Sequence, residues 1–359
     1  MKIIQRHYIY EFLKMLGILS LGLALIFSLL DLIDKIDDFM SGKPSIVNLF
    51  FYTALNLPKY LYYLLPISLL ICSLFIFSQA SRNKELVTVK AAGGRLKGLF
   101  YPFIIIGILL SLFGFIIGEF VVPDFSWRSH ELKNALSKKD ENLTYRDGTL
   151  WMRGTDGSPI KIELYIPERK YARGVSIFIF GEDFLKKRIE AEVAEWIVHQ
   201  GKKSVWKLKK VIIYDIESGE ISSAAEMDYP YLESPDFFSK GIKKTEEMGI
   251  SELYRFTKRL KAAGFKDTKL IVDLNSKGSY PLTNFFMMLL GIALSVRGRV
   301  GSGLFAAGLG LFISFIYWLG YTMILSMGYA GIIPPIVAPW VVPILFGTAA
   351  TYLFRKIPE

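Results

Sequence analysis

Long apolar runs constrain this chain more than any other feature of its sequence. Six are present, at about Phe12–Leu32, Tyr60–Phe77, Leu99–Val122, Tyr280–Val296, Leu304–Met327 and Ile332–Phe354. Runs of ~18 apolar residues that carry little charge are long enough to cross a bilayer as helices. The sequence therefore predicts an α-helical polytopic membrane protein with six transmembrane helices.

The second apolar run has a companion just before it. Ile46–Leu57 is also apolar, and Pro58 and Lys59 separate it from Tyr60–Phe77. Proline removes a backbone donor and interrupts helices. We therefore expect an interfacial helix over Ile46–Leu57, followed by the span itself.

The middle of the chain has a different character. Residues 124–279 are polar and contain short runs rich in β-forming residues, separated by turn signals. In one run, Ile160, Ile162, Leu164 and Ile166 share a face, with Lys161, Glu163 and Tyr165 on the other. This pattern predicts an all-β, jelly-roll-like domain inserted between helices 3 and 4, with transmembrane regions at 1–123 and 280–359. Ser251 is expected to cap a helix that leads back to the membrane.

Basic residues in the short loops set the orientation. The net charge is +10, and Lys2, Arg6, the Arg82–Lys97 loop, Arg297 and Arg355 fall on one side if the N-terminus is inside. Lysine and arginine concentrate in cytoplasmic loops. We therefore expect both termini in the cytoplasm and the β domain outside. The basic excess reflects topology and anionic lipid rather than nucleic-acid binding.

The basic loop between the second and third runs contains a candidate docking element. Its basic residues are Arg82, Lys84, Lys90, Arg95 and Lys97, and Glu85 is acidic. Leu86 and Val89 recur at helical spacing ahead of Gly93 and Gly94, which predicts a short amphipathic helix at about 80–94. Such a helix suits docking into a groove on a soluble partner. A basic turn held at the lipid headgroups is the alternative.

Small residues form two stripes at helical spacing. They are Gly107, Ser111, Gly114 and Gly118 on the third span, and Ala306, Gly310 and Ser314 on the fifth. Small residues allow helices to approach closely in lipid. Both stripes predict helix-packing seams.

Catalytic motifs are missing from the sequence. It contains no phosphate-binding loop and no nucleophile elbow. Its three histidines lack partners at metal-ligand spacing, and its single cysteine, Cys72, lies inside an apolar run. The chain is therefore expected to be a carrier, scaffold or subunit rather than an enzyme.

Several segments together resemble a known family over essentially the whole length. They are Tyr8–Glu11, Leu57–Pro66, Ser81–Gly93, Gly118–Pro123, the helix from Leu253, Lys277 with Pro281 and Leu282, and Gly331–Pro335 with Trp340. Their order and spacing resemble the LptF/LptG (YjgP/YjgQ) permeases of the lipopolysaccharide-export ABC transporter, with a closer likeness to the LptG branch.

The resemblance implies a transport subunit of the bacterial inner membrane. A homologous LptF-like permease would pair with it, and a cytoplasmic LptB-like ATPase dimer would dock on the loop between spans two and three. ATP and magnesium would bind at that ATPase, and this chain would bind no cofactor. Periplasmic LptC-like and LptA-like jelly-roll proteins would continue the route of the lipopolysaccharide. Glu85 would be the acidic coupling residue, with Leu86 and Val89 filling the partner's groove and Arg82 and Lys84 beside them.

The resemblance also implies cations that meet the lipid phosphates. The match is partial, because Asp31 stands where relatives can carry lysine. Lys35, one turn further on the same face, would substitute, and Lys133 matches the basic position after the third span, with Arg128 and His130 nearby. Cations of this kind suit phosphate recognition. A surface charge cluster is the alternative.

Two other functions stay open from the residues alone. A secondary transporter would need ionisable residues at mid-membrane and an internal repeat, and neither is evident in the sequence. The chain could also be a scaffold that anchors a periplasmic β domain. Copurification of an ATPase separates both from the permease.

Overall fold

The computed structural model describes residues 2–40, 44–136, 143–146, 149–166, 169–181, 184–197, 205–232, 235, 243–262, 267–297 and 303–357. The chain divides into two compact units. One contains residues 1–137, 245–257 and 265–359, and the other contains residues 138–244 and 258–264. The first unit continues past the domain boundary expected at 123, because a helix occupies Val122–Leu136.

Helices account for most of the described residues. They are α1 (Lys2–Asp34), α2 (Ile36–Met40), α3 (Ile46–Arg82), α4 (Glu85–Ala91), α5 (Leu96–Ile116), α6 (Val122–Leu136), α7 (Ile250–Ala262), α8 (Thr268–Arg297), α9 (Gly303–Tyr329) and α10 (Ala338–Arg355). A π-turn over Ile117–Val121 joins α5 to α6, and a 3-10 turn over Thr245–Glu247 precedes α7.

Five helical segments are long and apolar enough to cross a membrane. They are Ile3–Asp34, Ile46–Arg82, Leu96–Leu136, Thr268–Val296 and Gly303–Tyr329. The sixth expected span corresponds to α10, which has 18 residues and is not among these five. The sixth span therefore stays a prediction.

Helix α3 corrects one expectation. It is continuous from Ile46 to Arg82 and contains both Pro58 and Pro66, so the expected break at Pro58 is wrong. Each proline removes one backbone donor, but helices in lipid tolerate this when neighbouring helices surround them. Most of α3 is buried inside the helical unit, and this packing is consistent with a helix that continues through both prolines.

The spans differ in how much of their surface is covered. Helices α3 and α8 are mostly buried, whereas α1, α5 and α9 keep most of their apolar surface exposed. In a membrane, exposed apolar side chains face lipid at no cost. Helices α3 and α8 therefore form the centre of the bundle.

The second unit contains one antiparallel sheet of seven described strands. They are β1 (Leu143–Arg146), β2 (Thr149–Arg153), β3 (Pro159–Ile166), β4 (Tyr171–Phe180), β5 (Leu185–Ile197), β6 (Val205–Asp215) and β7 (Ile221–Tyr229). Their order in the sheet follows their order in the chain. This is a meander, so the β domain is present but a jelly-roll topology is not confirmed.

The face pattern predicted for β3 holds with one exception. Ile160, Ile162, Leu164 and Ile166 are all buried, as the alternation predicts. Tyr165 is buried as well, because its hydroxyl donates to the Pro235 carbonyl at 3.1 Å. A tyrosine can be buried when its hydroxyl finds a partner.

Candidate functional site

Helix α4 lies in the basic loop that the sequence singled out. It covers Glu85–Ala91, which is shorter than the expected 80–94 because α3 extends into the loop. Gly93 has a φ of 75° and follows the helix. Glycine adopts this left-handed conformation without steric cost. Gly93 therefore closes α4, as predicted.

The apolar side of α4 faces the chain's own core. Leu86 is 4% exposed, Val89 is 9% exposed, and both belong to the apolar core that includes Tyr8, Leu96 and Leu99. Side chains buried in this way attach the helix to the bundle. This corrects the expectation that Leu86 and Val89 fill a groove on a partner.

The outward side of α4 carries the remaining candidates. Its exposed residues are Glu85, Val87, Thr88 and Ala91, and Arg82 and Lys84 just before the helix are exposed too. The Glu85 carboxylate accepts a hydrogen bond from the Tyr8 hydroxyl and another, at 3.2 Å, from the Asn83 side-chain amide. The carboxylate is thus held at the surface in a defined position.

At the opposite end of α1, two candidate lipid contacts bind each other. The Lys35 ammonium lies 2.6 Å from the Asp31 carboxylate, which also accepts a hydrogen bond from the Tyr52 hydroxyl at 2.9 Å. Asp31 therefore neutralises Lys35. Lys35 keeps about a third of its side chain exposed, so an anion would reach it in competition with Asp31.

The other candidate lipid contacts lie on α6. Arg128 pairs with Asp124 at 3.1 Å on the surface, and Lys133 is half-buried with interactions of its own. His130 instead points to a buried carboxylate, because its Nδ1 lies 2.7 Å from Glu247, which is only 4% exposed. His130 is therefore engaged inside the protein.

A single asparagine connects the two groups of candidate lipid contacts. The Asn56 amide donates to the Tyr52 carbonyl and to the Ser129 hydroxyl, each at 2.9 Å. Tyr52 contacts Asp31, and Ser129 is next to His130 in the chain. The structure thus places Asp31 and Ser129, the neighbour of His130, against Tyr52 and Asn56 of α3.

The small residues of the third span face α8 for most of their length. A side chain at Gly107 would lie 2.4 Å from the Met288 methyl carbon, and the Ser111 hydroxyl donates to the Pro281 carbonyl at 2.7 Å. Gly114 likewise meets a side chain of α8. Close approach of this kind needs residues without bulk.

Gly118 and the second stripe contact α3 instead. A side chain at Gly118 would lie 2.7 Å from the Tyr62 ring. Ala306, Gly310 and Ser314 are buried, and a side chain at Gly310 would lie 3.0 Å from a side-chain carbon of α3. The first stripe therefore contacts both buried central helices, α8 and α3, and the second stripe contacts α3.

Sequence reasoning missed a set of acidic contacts, which we call the carboxylate clamp. It holds residues 245–251 to the helical unit in three places: Glu246 pairs with Lys59 at 2.8 Å, Glu247 contacts His130 at 2.7 Å, and Glu119 accepts the Ile250 N–H at 2.5 Å. One signal was available, because Glu119 is an ionisable residue inside an apolar run, where charge is costly.

Metal binding finds no support in the described part of the chain. Within those residues, no group of three or more His, Cys, Asp and Glu side chains could hold a metal ion.

Comparison with known proteins gives one consistent result. Residues 6–356 match the family model described as lipopolysaccharide export system permease LptF/LptG. The chain is also 23% identical, over 246 residues, to the lipopolysaccharide export system permease protein LptG of Escherichia coli strain K12, covering 67% of each chain. The same values hold for the LptG protein of Escherichia coli O6:H1.

Proposed function

Because the chain belongs to the LptF/LptG family of lipopolysaccharide export permeases, we propose that it is one permease subunit of an ABC transporter. In this proposal a separate ATPase drives the extraction of lipopolysaccharide from the inner membrane. The observation that carries the proposal is the family match over residues 6–356, together with an α4 whose outward side is exposed. The sixth span, over α10, belongs to this proposal.

The proposed docking face consists of Glu85, Val87, Thr88 and Ala91. All four are exposed, whereas Leu86 and Val89 on the other side of α4 are buried in the bundle. An element attached on one side and exposed on the other can pass a push from a partner to the helices beneath it. The partner would be an LptB-like ATPase dimer that binds ATP and magnesium, and an LptF-like permease would complete the pair.

The orientation follows from this docking. With α4 in the cytoplasm, the basic loops lie inside, both termini are cytoplasmic and the β sheet is periplasmic. Strands β1 and β7 form the two edges of the described sheet. An open sheet edge can accept a strand from another chain. Such an edge suits LptC-like and LptA-like proteins that continue the path toward the outer membrane.

The lipid-contact part of the proposal comprises Asp31, Lys35, Arg128, His130 and Lys133. Lys35 and Lys133 are its central cations, because phosphates bind such groups through charge-assisted hydrogen bonds. Changing both to glutamate should reduce photocrosslinking to lipopolysaccharide. An unchanged yield would remove them from the site.

Copurification tests the central proposal. We expect Glu85→Lys and Val87→Asp to abolish recovery of the ATPase with the permease, since both place an unfavourable charge on the outward face. Glu163→Lys, a reversal at an exposed carboxylate of the sheet, is the matched control and should leave recovery unchanged. Full recovery in the α4 variants would contradict the docking face. Lipopolysaccharide export without any ATPase would favour a secondary transporter. The absence of any export would favour a scaffold.

A further inference from the structure

Helix α7 begins without a capping side chain of its own. The Leu253 N–H donates to the Gly249 carbonyl at 2.9 Å, which makes Gly249 the residue at the N-cap position. Serine, threonine, aspartate and asparagine are preferred there because their side chains accept the first free N–H groups. Ser251, which the sequence marked as the cap, lies one residue inside the helix. Glycine offers no side-chain acceptor.

A carboxylate from the third span supplies the missing cap. The Ile250 N–H donates to Glu119 Oε2 at 2.5 Å, and the Ser251 N–H lies 3.4 Å from Glu119 Oε1. A negative charge at this position also complements the helix dipole. Glu119 is 131 residues away from Ile250 in the chain, so the cap comes from a distant segment of the same chain.

Gly249 makes room for this arrangement. A side-chain carbon at position 249 would lie 2.9 Å from Glu119 Oε1 and 3.1 Å from the Glu119 carbonyl. That is too close for an ordinary contact, so a side chain there would displace the carboxylate. Glycine at 249 explains both observations: it supplies no capping side chain, and it leaves the space that the Glu119 carboxylate occupies.

The local backbone of Glu119 is irregular as well. Glu119 lies in the π-turn Ile117–Val121, and Pro123 cannot donate to the Glu119 carbonyl as an α-helix would require. Single π-turns in helices often occur at functional positions.

We propose that Glu119 is a positioning residue that makes the start of α7 move together with the third span. In chain order α7 follows the β strands, so this cap ties the segment after the strands to a membrane helix. The role in transport rests on the proposed function, whereas the capping itself does not. The two parts are tested separately.

Hydrogen exchange tests the cap without reference to transport. We expect Glu119→Ala to speed exchange of the Ile250 and Ser251 amides by ~2- to 30-fold, the range that loss of a cap produces. Glu119→Gln, which keeps an acceptor, should show a smaller increase. Asp124→Ala, an exposed carboxylate on the same helical segment, is the control and should leave both amides unchanged. Unchanged exchange in both Glu119 variants would overturn the proposal.

A second-site variant separates capping from the tie to the third span. Removing the Glu119 side chain relieves the closest contact of a side-chain carbon at 249. A shift of a few tenths of an ångström from the backbone carbonyl of residue 119, 3.1 Å away, would then let a serine there cap α7 by itself. We therefore expect Glu119→Ala with Gly249→Ser to restore slow exchange at Ser251, yet to export lipopolysaccharide as poorly as Glu119→Ala alone. Export equal to that of the unmodified protein would show that the tie is not needed. If the unmodified protein exports nothing, the proposed function fails while the exchange result still decides the cap.

Discussion

The two ends of the helical unit hold short segments by different forces. Helix α4 is attached by apolar burial, through Leu86 and Val89. Residues 245–251, at the other end of the third span, are attached by the carboxylate clamp, whose contacts are ion pairs and hydrogen bonds. Full burial of one leucine or valine is worth ~1.5–3 kcal/mol, whereas a solvent-accessible ion pair contributes ~0–1 kcal/mol.

This difference in the kind of contact predicts how readily water or salt can weaken each attachment. Water cannot replace an apolar contact, so α4 should stay fixed to the bundle through Leu86 and Val89. Within the clamp, the partly exposed pair of Lys59 and Glu246 can be exchanged for water or for other charges. The contact of His130 with Glu247, by contrast, is nearly buried.

The largest expected effect is at the α4 end. Leu86→Ala should lower the free energy of unfolding of the attachment by ~2–5 kcal/mol, as for other buried leucines. Val87→Ala is the matched control, because Val87 is adjacent but 61% exposed, and its cost should stay within ~0.5 kcal/mol. Amide exchange across α4, with thermal unfolding in detergent, measures both. Equal costs for the two variants would mean that burial does not attach α4.

A smaller effect is expected within the clamp. His130→Ala removes the contact between Nδ1 of His130 and the carboxylate of Glu247, which is almost fully buried. Loss of a hydrogen bond to a charged group costs ~1.5–3 kcal/mol. Arg128→Ala removes a surface ion pair on the same helix and should cost ~0–1 kcal/mol. Thermal unfolding in detergent compares them, and a larger cost for Arg128→Ala would contradict the assignment of His130 to the clamp.

The same contrast shows what sequence can predict. Apolar attachment leaves a periodic pattern, so the main spans, the small-residue stripes and helix α4 were predictable. Whether the apolar side of α4 faces the bundle or a partner was not predictable, because Leu86 and Val89 give the same sequence pattern in both cases. The clamp joins residues more than 70 positions apart, such as Glu119 and Ile250, and no local pattern records that pairing.

The β sheet shows the limit in another form. Strand β5 contains many Lys, Glu and Ala residues, which favour helices, so its local pattern does not predict a strand. It becomes a strand because its neighbours supply partners across the sheet, as when Lys209 of β6 pairs with Glu195 of β5 at 2.7 Å. Cross-strand pairing can override weak local preference.

The smallest expected effect gives the sharpest comparison. Lys59→Met removes the ion pair with Glu246, in which both side chains are partly exposed, and should cost ~0–1 kcal/mol at low salt. At 1 M salt the Debye length is ~3 Å, so this cost should largely disappear. The cost of Leu86→Ala should not decrease under the same conditions, because no charge contributes to it. Unfolding of both variants in detergent at low and high salt tests the difference. A salt-independent cost for Lys59→Met would contradict the assignment of this contact to an ion pair, because methionine keeps most of the apolar chain of lysine and removes its charge.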